Sequence, residues 1–191
     1  MAEKNPLPLI TNREQVAKSR LFAIEQIDLT FGNGEKRVYE RMSGSGRGAV
    51  MIIPMLDNDT MLLVKEYCAG THSYELGFPK GLIDQGELPA QAANRELKEE
   101  VGYGAKELIY LHQVAMAPAF FAATMDIYLA TDLYEERLPG DEPEPLEVVP
   151  WKLADFQSLL GRDDFNEARS IAALFLAKEH LVQAGSRGGH E

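Results

Sequence analysis

Residues 81–103 read GLIDQGELPAQAANRELKEEVGY, and the meaning of the whole chain turns on this stretch. From Glu87 to Val101 the apolar spacing predicts a helix. Pro89 is tolerated in a first helical turn, and Gly102 stands where a glycine commonly ends a helix. With Glu96 set at zero on a wheel of about 100° per residue, Glu99 falls near 300° and Glu100 near 40°. Three carboxylates thus share one face. Ala93, Leu97 and Val101 form a neighbouring apolar face able to dock on a sheet. Carboxylates crowded in this way repel, Glu96 and Glu100 at i,i+4 among them. A hard divalent cation removes that repulsion, and an all-oxygen donor set suits Mg²⁺ or Mn²⁺ better than Zn²⁺.

The same residues fit a longer spacing rule, G-x5-E-x7-R-E-U-x-E-E-x-G-U, where U is bulky and apolar. Gly81, Glu87, Arg95, Glu96, Glu99, Glu100 and Gly102 occupy the fixed positions, Leu97 the first U and Tyr103 the last. At roughly 6% per residue, seven such coincidences arise with a chance on the order of 10⁻⁹ per register. A solvated, Glu-rich helix face would leave this spacing unexplained. The pattern resembles the Nudix box, the signature of the Nudix hydrolases. That resemblance implies an α/β fold, an α/β/α sandwich with a mixed sheet, and hydrolysis of a nucleoside diphosphate linked to another group. It implies that Glu96, Glu99 and Glu100 hold Mg²⁺, with the Lys80 backbone carbonyl as a further ligand. Gly81, Glu87, Arg95 and Gly102 would support them, an Arg95–Glu87 ion pair fixing the loop over the helix.

Outward from the box, Ile27, Leu29 and Phe31 alternate with polar residues. A turn at Gly32-Asn33-Gly34 and a return from Lys36 to Met42 complete a hairpin pattern. Ala49 to Met55, Met61 to Tyr67, Tyr74 to Phe78, Leu108 to Val114 and Met125 to Ala130 read as strands. Residues 133–150 read as a long acidic, proline-rich loop, a length that in compact domains points to function. Helices are expected over 153–160 and 167–183, with Ile171, Leu174, Phe175 and Leu181 as an apolar stripe. The expected organisation is an N-terminal β-hairpin region (1–48), a hydrolase domain (49–184) and a frayed tail (185–191).

Further stretches resemble the ADP-ribose pyrophosphatase branch of the family and its ADP-compound hydrolases. They are residues 19–22 (SRLF), 38–42 (VYERM), 74–78 (YELGF), 140–145 (GDEPEP) and 164–169 (DFNEAR), with Pro118 sixteen residues after Gly102. The resemblance implies ADP-ribose, NADH and diadenosine polyphosphates as substrates and AMP as a product. It also implies a homodimer in which residues 1–48 help to build the partner's site. A catalytic glutamate is expected on the loop before the C-terminal helices. Glu142 is the candidate base and Glu144 an auxiliary metal ligand, with the two roles exchangeable, and Glu99 belongs to the same catalytic group. Arg41, Arg47, Pro118 and Phe120 are the candidate substrate contacts, and Tyr74 and Phe120 are suited to stacking on adenine. Pro118 is followed by Ala119-Phe120 where that branch commonly has Gly-Phe, which argues against a narrow ADP-ribose specificity.

Composition narrows the partners. The chain of 191 residues carries 19 Lys and Arg against 30 Asp and Glu, a net charge of −11. Such a surface repels extended polyanions, so neither nucleic acid nor an anionic membrane is an expected partner, while small anionic ligands can still be reached through bound metal. A single cysteine, Cys68, excludes an intramolecular disulfide. The first ten residues lack the apolar core of a secretion signal, and a cytoplasmic location is expected. Two other readings compete: a Nudix hydrolase of another nucleoside diphosphate, such as a sugar nucleotide, and a non-catalytic nucleotide-sensing domain. Sensing domains lose box glutamates, whereas Glu87, Glu96, Glu99 and Glu100 all stand here.

Overall fold

A computed structural model describes residues 6–44 and 46–187. Those residues divide into two compact units, one within Met1–Gly46 and Ala115–Ala123, the other within Arg47–Val114 and Thr124–Glu191.

The first unit is an antiparallel meander of β1 (Leu9–Lys18), β2 (Ala23–Thr30) and β3 (Lys36–Ser43). The alternation read around Ile27 is realised as the β2–β3 hairpin, with Ile27 opposite Tyr39. The turn closes through the Gly34 amide donating to the Phe31 carbonyl at 2.9 Å, and Gly34 has the left-handed φ of 86° that the turn requires. β1 was not foreseen: its residues are almost all exposed, so they carry no apolar alternation. The segment 115–123 joins this unit through the Met42 amide, which donates to the Phe120 carbonyl at 2.7 Å.

The second unit has a mixed sheet and an antiparallel one. β4 (Ala49–Pro54) runs parallel to β9 (Phe121–Glu135) and antiparallel to the short β7 (Lys80–Leu82). β5 (Thr60–Cys68) lies between β6 (Ser73–Gly77) and β10 (Glu147–Lys152). β10 occupies the end of the stretch read as one long acidic loop. β9, which extends to Glu135, occupies its start, so the irregular part is confined to 136–146. β8 spans Tyr103–Ala117.

The box helix fills the space between these sheets. Ala92, Ala93, Leu97 and Val101 pack with Val50 and Ile52 of β4 and with Leu62 and Val64 of β5 in one buried cluster. Burying a side chain such as Leu97 contributes about 2 kcal/mol. The apolar face predicted from the wheel is therefore the one that packs.

The helix itself departs from expectation. α1 (Pro89–Glu96) begins two residues late, and the next five, Leu97–Val101, form a π-helical turn. Gly102 ends it as predicted, with φ 86° and its amide donating five residues back to the Leu97 carbonyl at 3.2 Å. A π turn adds a residue per turn and commonly marks a functional site. Here it re-aims Glu99 and Glu100. Toward the C-terminus, the helix expected over 153–160 is a 3₁₀ turn (Leu153–Asp155) followed by α2 (Phe156–Leu160). α3 runs Ala168–Arg187, past the expected end at Gln183, while 188–191 of the anticipated frayed tail lie outside the described residues. Leu174 is buried, but Phe175 of the predicted stripe is exposed and meets the Phe156 ring edge-on.

Candidate active site

Arg95 organises the box. Its Nε and Nη2 donate to the two oxygens of Glu87, each at 3.0 Å, and Nη2 also donates to the Leu82 carbonyl at 2.9 Å. Glu87 in turn accepts the Asp84 amide at 3.1 Å. One guanidinium thus ties β7, the loop after it and α1 together. This bidentate pairing holds the Glu87 carboxyl below the usual range. The late helix start follows: Glu87 is a loop residue that reaches Arg95.

The remaining Arg95 nitrogen, Nη1, lies 2.7 Å from Glu96 Oε1 and 3.0 Å from Glu99 Oε2. Above them runs the backbone of β7. A Cβ added at Gly81 would overlap the Glu96 carboxylate, so only glycine lets the strand approach this closely. Glu100 is the most buried of the three box glutamates, at 5% exposure, and accepts the Lys80 amide at 3.3 Å. Burial pushes its carboxyl up to about 9, with Glu96 and Glu66 adding to the rise and Lys80 opposing it. Burial also raises Glu96, against the pull of Arg95.

These groups line a cleft of about 460 Å³, with Glu66, Lys80, Glu96, Glu99, Glu100 and Glu142 among its walls. Glu66 and the Lys80 ammonium, which form an ion pair, were missed in the sequence. Glu66 was within reach of pattern reasoning: it follows Leu62 and Val64 at a spacing of two, which puts it on the strand face that meets the box helix. The acidic loop delivers Glu142 to the cleft, close enough to raise the Glu96 carboxyl further. Glu144 goes elsewhere. It accepts a hydrogen bond from the Tyr74 hydroxyl and lines the adjoining cavity, not the carboxylate cleft, so its expected place among the metal ligands is not where the structure puts it.

The donor set suits a divalent cation. A positive group already bridges Glu96 and Glu99, and Glu100 is a buried carboxyl whose charged form burial disfavours and a nearby positive charge favours. With Arg95 in that bridging place, no three or more His, Cys, Asp or Glu side chains among the described residues are grouped to grip an ion.

The other candidates divide between the units. Arg41, Pro118 and Phe120 line one cavity of about 240 Å³ in the first unit. Arg41 is paired there with Glu25, Nε at 2.8 Å and Nη2 at 2.7 Å. Arg47 lies in the second unit, exposed, just before β4. Cys68 is half-buried with its thiol pushed up by burial, which suits packing and not nucleophilic attack.

Residues 46–175 match the NUDIX domain. The chain belongs to the Nudix hydrolase family. This Nudix hydrolase also matches the NudE-type Nudix hydrolase N-terminal domain over residues 8–41. It is 55% identical to the ADP compounds hydrolase NudE of Escherichia coli (strain K12), covering 97% of this chain and 99% of that one. An ADP-ribose pyrophosphatase of Bacillus subtilis (strain 168) is 28% identical, over 88% of this chain and 95% of the relative. The crystal structure of an ADP compounds hydrolase superposes with a TM-score of 0.91 at 54% identity, covering 96% and 99% of the two chains. The fold of this Nudix hydrolase is therefore the Nudix fold, α/β with a mixed sheet, and the protein is a pyrophosphohydrolase of that family. No helix among the described residues is long and apolar enough to cross a membrane.

Proposed function

We propose that this Nudix hydrolase cleaves the pyrophosphate bond of ADP-linked compounds in a Mg²⁺-dependent reaction, with Mn²⁺ as a substitute, and releases AMP. The observation that carries the reading is one cleft joining a buried cluster of box glutamates to Glu142. The names of the similar proteins, an ADP compounds hydrolase and an ADP-ribose pyrophosphatase, support ADP as the shared half of the substrate.

Glu96, Glu99 and Glu100, with the Lys80 carbonyl, would hold the metal. A divalent cation held there would offset the negative charge of the pyrophosphate and would lower the pKa of a bound water. The chain's own residues do the rest. Arg95 and Glu87 keep the box loop and helix in one arrangement, so the carboxylates are preorganised. Glu142 accepts the proton of the attacking water; water adds across the P–O–P bridge, giving two phosphate-terminated products. Glu144, tied to Tyr74, is read as holding the loop and not as a metal ligand. Arg41, Arg47, Pro118 and Phe120 are proposed to contact the substrate. Residues 1–48 are proposed as the dimerisation region of a cytoplasmic homodimer, and 49–184 as the hydrolase domain.

The deciding experiment incubates the protein with ADP-ribose, NADH and diadenosine triphosphate, with Mg²⁺ and with a chelator, and measures AMP. AMP from all three only in the presence of metal is expected. No AMP from any of them would overturn the substrate assignment.

A further inference from the structure

Beside the carboxylate cleft, the second unit contains another cavity of about 390 Å³. Glu66 and Glu142 line both, so the two adjoin. Tyr67 of β5 and Tyr74 of β6 form its aromatic wall; they are cross-strand partners with ring centroids 5.8 Å apart. The rings are 43% and 50% exposed. Both hydroxyls are engaged, Tyr67 with His72 Nδ1 at 2.8 Å and Tyr74 with Glu144. The rings are thus held in place while part of their carbon surface remains open. Pro143, Pro145 and Leu146 of the acidic loop supply further apolar surface.

The charge of the lining restricts what can enter. Glu66, Glu142, Glu144 and Glu147 face one basic group, Lys65, which pairs with Asp164 at 3.8 Å. A phosphate is repelled from such a site, whereas ribose hydroxyls can donate to carboxylates. Aromatic carbon surface stacks on any base, because every base has a π face. The described residues that line the cavity include no Asn or Gln, whose amides make the bidentate contacts that single out one base. A site built on stacking surface suits the part of a substrate that varies.

We infer that this cavity receives the nucleoside attached beyond the pyrophosphate, the half of a dinucleoside substrate that does not leave as AMP. The inference rests on the reading of the chain as a hydrolase of ADP compounds. ADP-ribose is the natural control, since its distal half has a ribose but no base.

The test compares kcat/KM for NADH and diadenosine triphosphate with kcat/KM for ADP-ribose, in the unaltered protein and in Tyr67→Ala and Tyr67→Phe. Tyr67→Ala is expected to lower the ratio of either dinucleoside to ADP-ribose by about tenfold, the effect of one lost base–aromatic contact. Tyr67→Phe keeps the ring, so its ratio stays within about twofold of the unaltered protein. An equal fall for all three substrates in Tyr67→Ala would place the shared AMP half, or general structural damage, at this wall and overturn the inference; unchanged kinetics would overturn it too. If the unaltered protein hydrolyses none of the three, the parent reading fails instead.

Discussion

The box segment and the acidic loop both bring glutamates to the same cleft, yet they do so by opposite means. In the box every carboxylate is locally determined: helical spacing sets Glu96, Glu99 and Glu100, and Arg95 fixes three of its acidic neighbours from within the same stretch. In the loop, Glu142 and Glu144 are two residues apart and chemically identical, yet only Glu142 reaches the carboxylate cleft; Glu144 lines only the adjoining cavity. What separates them is a contact from far along the chain, the Tyr74 hydroxyl on Glu144. Local spacing is enough to cluster the box glutamates, whereas the choice between neighbouring loop residues requires the fold.

The largest effects should fall on the box. Glu100→Gln is expected to cut kcat at least about a hundredfold under saturating Mg²⁺ with the fold intact, since it removes a proposed metal ligand. Steady-state rates with circular dichroism check this, and near-normal turnover would remove Glu100 from the site. In the loop the two glutamates should differ. Glu142→Gln is expected to lose about a hundredfold as a missing general base, and Glu144→Gln less than about tenfold. Rates reversed between the two variants would exchange their roles.

A smaller effect tests the packing of the box itself. Gly81→Ala puts a Cβ into the Glu96 carboxylate and should destabilise the protein by about 1–3 kcal/mol, read by thermal or urea unfolding. Unchanged stability would mean that β7 can move away at little cost. The mildest test is pH. Glu100 in the folded chain titrates at about 9 against an ordinary value of 4.5, so the folded state keeps a proton that the unfolded chain releases. That contribution is fully present below about pH 4.5 and is lost as pH rises toward about 9. The Tm of the metal-free protein should therefore decline across this window through Glu100, and Glu100→Gln should remove that part of the decline. An identical pH profile in the variant would show that Glu100 is not the group responsible.

Legibility followed the range of the interactions. The β2–β3 hairpin, β4, β5 and the packing face of the box helix announce themselves through apolar periodicity over a few residues. β1 does not, because its residues are exposed and its pairing with β2 carries no hydrophobic signature. β10 was hidden in the acidic loop, since Pro150 and flanking acids mask a strand whose partner, β5, lies over eighty residues earlier. Within the site, the pairing of Glu66 with the ammonium group of Lys80 carried no local signal, because it spans two strands.

The sequence by itself determined the family, the reaction class and the metal-binding glutamates expected of it, because seven fixed positions within 22 residues express local helix and loop geometry. Only the tertiary structure decided how that geometry is realised. It turned the end of the box helix into a π turn between two sheets, buried Glu100 far enough to perturb its ionisation, and brought Glu142 but not Glu144 to the carboxylate cleft. Burial and through-space contact depend on residues distant in the chain, and no local spacing encodes them.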